Sequence, residues 1–340
     1  MGARTGAIAL VIGLAVLAAG LQAAGYDAAA ALGALWQGAV GSWYALTSAT
    51  LVRTVPLVII GLGIALAFRG GAFNIGAEGQ FYAGAIAATW VGLHVRGQPA
   101  VLAVGLVLVT ATLAGAVWIL LPVWLKLRFG VLEVISTLLL SFVAESLVSL
   151  MVQGPLQEAQ HIYPQSDEIA VAARLPLLPG TRLHAGIVLA VLAAVALWYL
   201  FNRTLWGFRL KAVGLGPRAA EIGGRIDARR MTALALLGSG ALAGLAGGVE
   251  VSGVSYALYQ NLSPGYGFTA IAVALLARLD PLGVLVTGLL FGALEAGAGA
   301  MQRDAGVPAV AVYVVEAVVI IVVLLAEAAA RRTAAARVGS

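Results

Sequence analysis

Residues 50–80 read TLVRTVPLVIIGLGIALAFRGGAFNIGAEGQ. The first nineteen are apolar apart from Arg53 and two threonines. Arg69 then opens a break made of glycines, Asn74, Glu78 and Gln80, and a second apolar run begins inside it at Gly76. A bilayer core of ~30 Å asks for ~20 apolar residues per helix, and backbone groups in lipid must be satisfied within the segment. One such run followed at once by another is the signature of a chain that crosses a membrane and returns.

The pattern extends over the whole chain. Apolar runs at 7–24, 50–68, 76–94, 100–121, 132–152, 184–201, 232–251, 265–279, 282–300 and 308–327 predict about ten transmembrane helices. Of 340 residues, 61% are hydrophobic and 10% charged, with a mean hydropathy of +1.00. The expected fold is an all-α polytopic membrane protein, a single transmembrane domain over 1–340. Residues 7–24 admit two readings. They are either a first retained helix or a cleaved signal peptide, since Arg4 precedes them and Ala23-Ala24-Gly25 is small.

Charge sets the expected orientation. With the N-terminus inside, fifteen of the twenty Lys and Arg fall on the cytoplasmic side, among them Arg69, Lys126, Arg128, Arg229 and Arg278. The positive-inside rule then predicts that both termini are cytoplasmic. The same rule explains the net charge of +5 without nucleic acid. No cysteine is present, and the three histidines lack metal-ligand spacing, so no metal site is expected.

Residues 50–152 and 232–327 form two four-helix blocks offset by five spans, hence of opposite sense: an expected pair of inverted repeats with two extra helices. Each block's first span is followed by a glycine-rich polar break, 69–80 and 256–268. Broken backbone at membrane depth is tolerated only where protein buries it or water lines it. Asn74, Glu78, Gln80, Gln260, Asn261, Tyr266 and Phe268 are therefore the candidate pathway residues. They either contact a hydroxylated or heterocyclic solute, or cap helices and satisfy the broken backbone. Phe73, Tyr82, Tyr259, Tyr266 and Phe268 would suit base stacking, although aromatic residues also populate membrane interfaces. The external segment 153–183 is either a docking surface or a connector. The internal segment 202–231 carries seven positive charges, part of which attraction to anionic lipid explains.

Val55-Pro56-Leu57 and Ala67-Phe68-Arg69-Gly70-Gly71-Ala72-Phe73-Asn74-Ile75-Gly76-Ala77-Glu78-Gly79-Gln80 resemble a stretch of bacterial ABC importer permeases, the branched-chain amino-acid, ribose and simple-sugar family. The Phe-Asn-Ile-Gly-Ala-Glu-Gly-Gln form resembles its nucleoside and simple-sugar branch. Ile135 to Leu140, Gly154-Pro155-Leu156, Ala212 to Ala220, Ser239 to Gly247 and Ser263 to Phe268 continue the resemblance in order over about residues 40–325. Where that family carries Asn-Tyr or similar after the leucine run, this chain has Ser141-Phe142.

The resemblance implies a multi-pass permease of the bacterial plasma (inner) membrane that is not itself an enzyme. Its expected partners are a cytoplasmic ABC ATPase holding ATP and magnesium, an extracytoplasmic solute-binding protein and a second, related permease in a heterodimer. It implies no cofactor in this chain, and no phosphate-binding Gly-x-x-x-x-Gly-Lys-Ser/Thr loop occurs in the sequence. A short helix near Gly214–Gly224 would sit against the ATPase, with Arg209, Lys211, Gly214, Pro217, Arg218 and Glu221 at the contact. Nucleosides lead the expected solutes, then simple sugars, then branched-chain amino acids. The rival class is an ion-coupled secondary transporter using Glu145, Glu250, Glu295 or Glu316.

Overall fold

The computed structural model describes residues 13, 15–308, 314, 317 and 321. Most of the expected span 308–327, Glu316 included, and the start of the span 7–24 lie outside them. The described secondary structure is helical, with two isolated β-bridges and no strand among the described residues. The helices are α1 (Ala28–Val40), α2 (Leu51–Arg69), α3 (Ala77–His94), α4 (Ala100–Trp118), α5 (Leu120–Phe129), α6 (Glu133–Val152), α7 (Gly186–Arg203), α8 (Leu205–Leu215), α9 (Pro217–Gly224), α10 (Ala228–Glu250), α11 (Tyr266–Leu276) and α12 (Pro281–Asp304).

Six helical stretches among the described residues are long and apolar enough to cross a membrane: Trp43–Arg69, Ala100–Phe129, Glu133–Val152, Gly186–Arg203, Ala228–Ser255 and Pro281–Asp304. Two of the ten expected spans form helices that fall outside that set. The run 76–94 becomes α3, diluted by Glu78, Gln80 and its glycines. The run 265–279 becomes α11, only 11 residues long and about 16 Å at 1.5 Å per residue. The sequence reading left α1 unassigned; Asp27 caps it by accepting from the N–H of Ala29 and Ala30.

The chain divides into two compact units. The first comprises Met1–Arg53 and Leu289–Ser340. In it α1 packs closely on the C-terminal part of α12: a Cβ on Gly297 would lie 2.5 Å from the Leu35 carbonyl oxygen. The Thr50 hydroxyl donates to the Ala39 carbonyl at 2.6 Å.

The second unit, Thr54–Gly288, is built around α3, α4 and α10. On α4, Ala103, Val107, Ala111 and Gly115 recur every fourth residue and are buried, so one narrow stripe of small residues faces inward. Gly115 meets Gly240 and Gly244 of α10, and a Cβ there would lie 2.7 Å from Gly244 Cα. Small residues let helix backbones approach where lipid offers no hydrophobic drive to associate. The other faces of α4 expose Val101 (90%), Leu113 and Val117. An exposed aliphatic surface around a buried small-residue seam is the arrangement that suits lipid as solvent. Over the part of α2 in this unit the logic inverts: Val55, Leu57, Val58, Ile59, Ile60, Leu62 and Ile64 are all fully buried, as a helix apolar on every side requires.

Both sequence breaks are real interruptions of helix. After α2, Gly71 takes φ +74° and its N–H returns to the Phe68 carbonyl, after which Ala72–Gly76 run without helix to α3. After α10, a π-helical turn at Val251–Ser255 leads into Tyr256 and Asn261, both at positive φ. The segment 153–183 is sewn to this second break by backbone bonds: Ser166 N–H to Leu258, Ile169 N–H to Tyr256 and Leu175 N–H to Ser252, each 2.8 Å. Arg174 adds a cation–π contact on Tyr256 at 4.5 Å and an ion pair to Glu168.

Candidate solute pathway

One face of α6 holds the first break in place. Glu133 accepts from the Phe73 N–H at 3.1 Å, Thr137 from Ile75 at 3.3 Å and Ser141 from Gly79 at 3.2 Å. Residues four apart lie on one helix face, so three side chains receive three donors that the interrupted backbone would otherwise leave unpaired. Lys126 clamps the other Glu133 oxygen at 2.5 Å. Gly79 has to lack a side chain here, since a Cβ would lie 2.8 Å from Ser141 Cα.

Asn74 is fully buried and uses its amide on both sides. Its Nδ2 donates to Gln80 Oε1 at 2.7 Å and to Ser239 Oγ at 2.9 Å. Its Oδ1 accepts from the Gly76 N–H and from Gln80 Nε2, both at 3.0 Å. Two donors and two acceptor positions are what an asparagine side chain offers, and all four are taken within the protein.

Glu78 lies in the first turn of α3 and its Oε2 accepts from the Gly267 N–H, in the first turn of α11, at 2.6 Å. Ser263 hydrogen-bonds the same carboxylate and accepts from the Gly265 and Tyr266 N–H groups. Two helix N-termini thus converge on one carboxylate, each presenting the positive end of its dipole. Tyr266 is buried with its ring edge-on to Phe81 at 6.1 Å, whereas Phe268 is 42% exposed.

One turn along α3 from Glu78, Tyr82 opens onto a cavity of about 290 Å³. Glu145, Ser146 and Ser149 of α6 line it, and Gln260 and Asn261 of the second break complete its polar wall. Gln260 Nε2 donates to Ser149 Oγ at 2.6 Å. Among its lining residues are one carboxylate, two amides, a phenol and two hydroxyls, and no lysine or arginine. Of the seven pathway residues expected from sequence, Gln260 and Asn261 stand at this cavity. Asn74 and Gln80 form the amide pair, while Glu78 and Tyr266 lie at the helix junction. The sequence reading assigns no pathway role to Ser149, Ser146, Thr137 and Ser239; for Thr137 and Ser149 the available signal was the run of polar residues at 133, 137, 141, 145 and 149.

The segment 202–231 folds as α8 and α9. Thr204 caps α8 by accepting from Gly207, and Pro217 starts α9, where a missing N–H costs nothing. Gly214 sits against the first break: a Cβ on Gly71 would lie 3.2 Å from Gly214 Cα. Arg209, Lys211, Arg218 and Glu221 are exposed, as are Leu215 (80%) and Ile222 (85%).

Comparisons with known proteins agree with this architecture. Residues 46–324 match the family described as branched-chain amino acid transport system / permease component. The guanosine ABC transporter permease protein NupP of Bacillus subtilis is 39% identical over 92% of this chain and 90% of its own. The glucose ABC transporter permease protein TsgB13 of Haloferax volcanii is 38% identical, covering 92% and 85% respectively. The nucleoside permease NupB of Lactococcus lactis is 34% identical over 91% and 87%. No solved structure matches. A match spanning most of the chain, on a helical fold with six described stretches long and apolar enough to cross a membrane, places the protein among multi-pass integral membrane permeases of ABC transporters: the chain belongs to the branched-chain amino acid transport system permease family.

Proposed function

We propose that this permease moves nucleosides inward through a route that includes the cavity between Tyr82, Glu145, Gln260 and Asn261. The observation that carries the reading is the composition of that wall. It offers acceptors and neutral donors to a ribose and a base edge, a tyrosine ring for stacking, and no cation to hold an anionic solute. The guanosine and nucleoside relatives favour the same class.

Asn74 and Gln80 act in this reading as a latch that keeps the first break open at one geometry, and Glu78 as the joint between α3 and α11. We read 50–152 and 232–327 as inverted repeats whose breaks meet at that joint, as transporters with discontinuous helices place their sites between repeats. The partners are a cytoplasmic ATPase, which keeps ATP and magnesium, an external binding protein and a second permease. Bacillus subtilis has two guanosine permease proteins that both resemble this chain, at 39% and 27% identity, which supports a heterodimer. α9 serves as the coupling element: its exposed Arg218, Glu221 and Ile222 meet the ATPase, while Gly214 reports on the first break.

A second reading, simple-sugar import, draws on the glucose permease relative. Uptake of labelled uridine or adenosine by cells with and without the gene separates the two. Loss of uptake on deletion, competed by unlabelled nucleosides and not by glucose or ribose, supports the nucleoside reading. Competition by the sugars overturns it in favour of the second. An ion-coupled carrier is set aside by membership of an ABC permease family.

A further inference from the structure

A second cavity, of about 450 Å³, opens where α5, α9 and the start of α10 meet the first glycine break. Three cations line it, Lys126, Arg128 and Arg229, against the single acid Glu221, with Gly71 and Gly214 also in its wall. Lys126 is already engaged by Glu133, which leaves Arg128 and Arg229 as the groups that face an incoming charge.

Depth gives the occupant its chemistry. The apolar stretch Ala100–Phe129 has 30 residues, about 45 Å of helix against a hydrocarbon core of ~30 Å. Its last turn, with Lys126 and Arg128, therefore reaches the headgroup layer. Trp124 and Phe129 are exposed there and meet edge-to-face at 5.2 Å, as aromatic residues do at a membrane interface. A basic pocket at this depth matches the charge and the position of a lipid phosphate.

We propose that this cavity binds the phosphate headgroup of an anionic phospholipid, with Arg128 and Arg229 as its ligands. The site is separate from the solute route and does not rest on the nucleoside reading. Its consequence is local: a headgroup seated there lies beside Lys126, whose partner Glu133 also holds the Phe73 N–H. Lipid composition then acts on the first break.

The test uses the full chain purified with its ATPase, exchanged into neutral detergent and offered phosphatidylglycerol or phosphatidylcholine, with bound lipid measured by native mass spectrometry. Phosphatidylglycerol is expected to bind in preference, with about fivefold weaker affinity for each of Arg128→Gln and Arg229→Gln. Arg182→Gln, in the segment 153–183, is expected to bind as the parent does. Arg128→Lys with Arg229→Lys keeps the charge and should retain most of the binding, which separates a lost ligand from a misfolded protein. Equal retention of the two lipids, or unchanged binding in the double glutamine variant, overturns the proposal. So does full displacement of phosphatidylglycerol by an equal concentration of inorganic phosphate, which would make the ligand free phosphate. Phosphatidylglycerol bound only after removal of the ATPase also overturns it, since the cavity would then hold the ATPase.

Discussion

The Glu78 carboxylate and the Gly267 N–H, 189 positions apart in sequence, meet at 2.6 Å. One belongs to the first helical turn after the first break, the other to the first turn after the second. A Cβ on Gly267 would lie 2.6 Å from Glu78 Cα, so backbone contact and hydrogen bond depend on the same missing side chain.

Gly267→Ala should accordingly cost more than Glu78→Gln. The glutamine keeps an acceptor for the Gly267 N–H, so a hydrogen bond of about 0.5–1.5 kcal/mol can persist. The alanine must push α3 and α11 apart. Thermal unfolding in detergent would rank them, and equal melting temperatures would show that the joint carries no strain.

Asn74→Ala strands Gln80 and the Gly76 N–H, each at about 1–3 kcal/mol for a buried unpaired group. Loss of stability with solute affinity unchanged is the expected pair of results. A double-mutant cycle with Gln80→Ala should show coupling of about 0.5–3 kcal/mol. Lost affinity at full stability would instead make Asn74 a solute contact.

Glu145→Gln and Asn261→Asp alter the cavity wall and should lower transport with little effect on melting, since Glu145 is exposed and aspartate, like asparagine, tolerates the positive φ at 261. A loss of about tenfold in kcat/KM corresponds to 1.4 kcal/mol of transition-state stabilisation. Transport at the parent rate in both variants would move the route elsewhere.

Replacing 214–224 with a Gly/Ser linker removes α9 together with the Gly214 contact to Gly71. Co-purification of the ATPase should fail while the permease still inserts. Retained association would assign coupling to another segment.

Glu158 is held below the usual carboxylate range by hydrogen bonds from the Gln165 side chain and the Tyr163 N–H. A depressed folded-state value means that its contribution is present above the unfolded value of about 4.3 and is lost as pH falls through the folded one. Limited proteolysis of 153–183 should accelerate below about pH 4. Glu158→Gln should remove that pH dependence by raising cleavage at neutral pH toward the rate the parent shows in acid.

The long apolar helices were legible because apolar length is what a bilayer selects. Residues 132–152 and 282–300 differ from α6 and α12 by at most four residues at an end. The breaks were legible because polar residues gather beside the glycines, Asn74, Glu78 and Gln80 after Gly70-Gly71 and Gln260, Asn261 and Ser263 before Pro264-Gly265; glycines alone do not break a helix, since Gly247-Gly248 lie inside α10. Their internal chemistry was not. Nothing local to Asn74 marks Gln80 and Ser239 as its partners, since Ser239 is 165 residues away. Ser141, which departs from the resembling family's pattern, turns out to receive the Gly79 N–H. The short helix at 217–224 could be anticipated from Gly216-Pro217, a start signal that needs no tertiary context. α1 could not, because thirteen residues fall below the length at which a span declares itself.

The four-residue rhythm of α6 has a mechanical meaning. Its first half grips residues 73, 75 and 79, and Ser149, about two turns beyond Ser141, grips Gln260. A single helix thus has a hand on each of the two breaks. Turning it by one residue, about 100°, would let go of both at once. The breaks are therefore geared: whatever opens one must be answered at the other, and a one-residue deletion between Ser141 and Ser149 would strip the gear while leaving every side chain it needs still in the sequence.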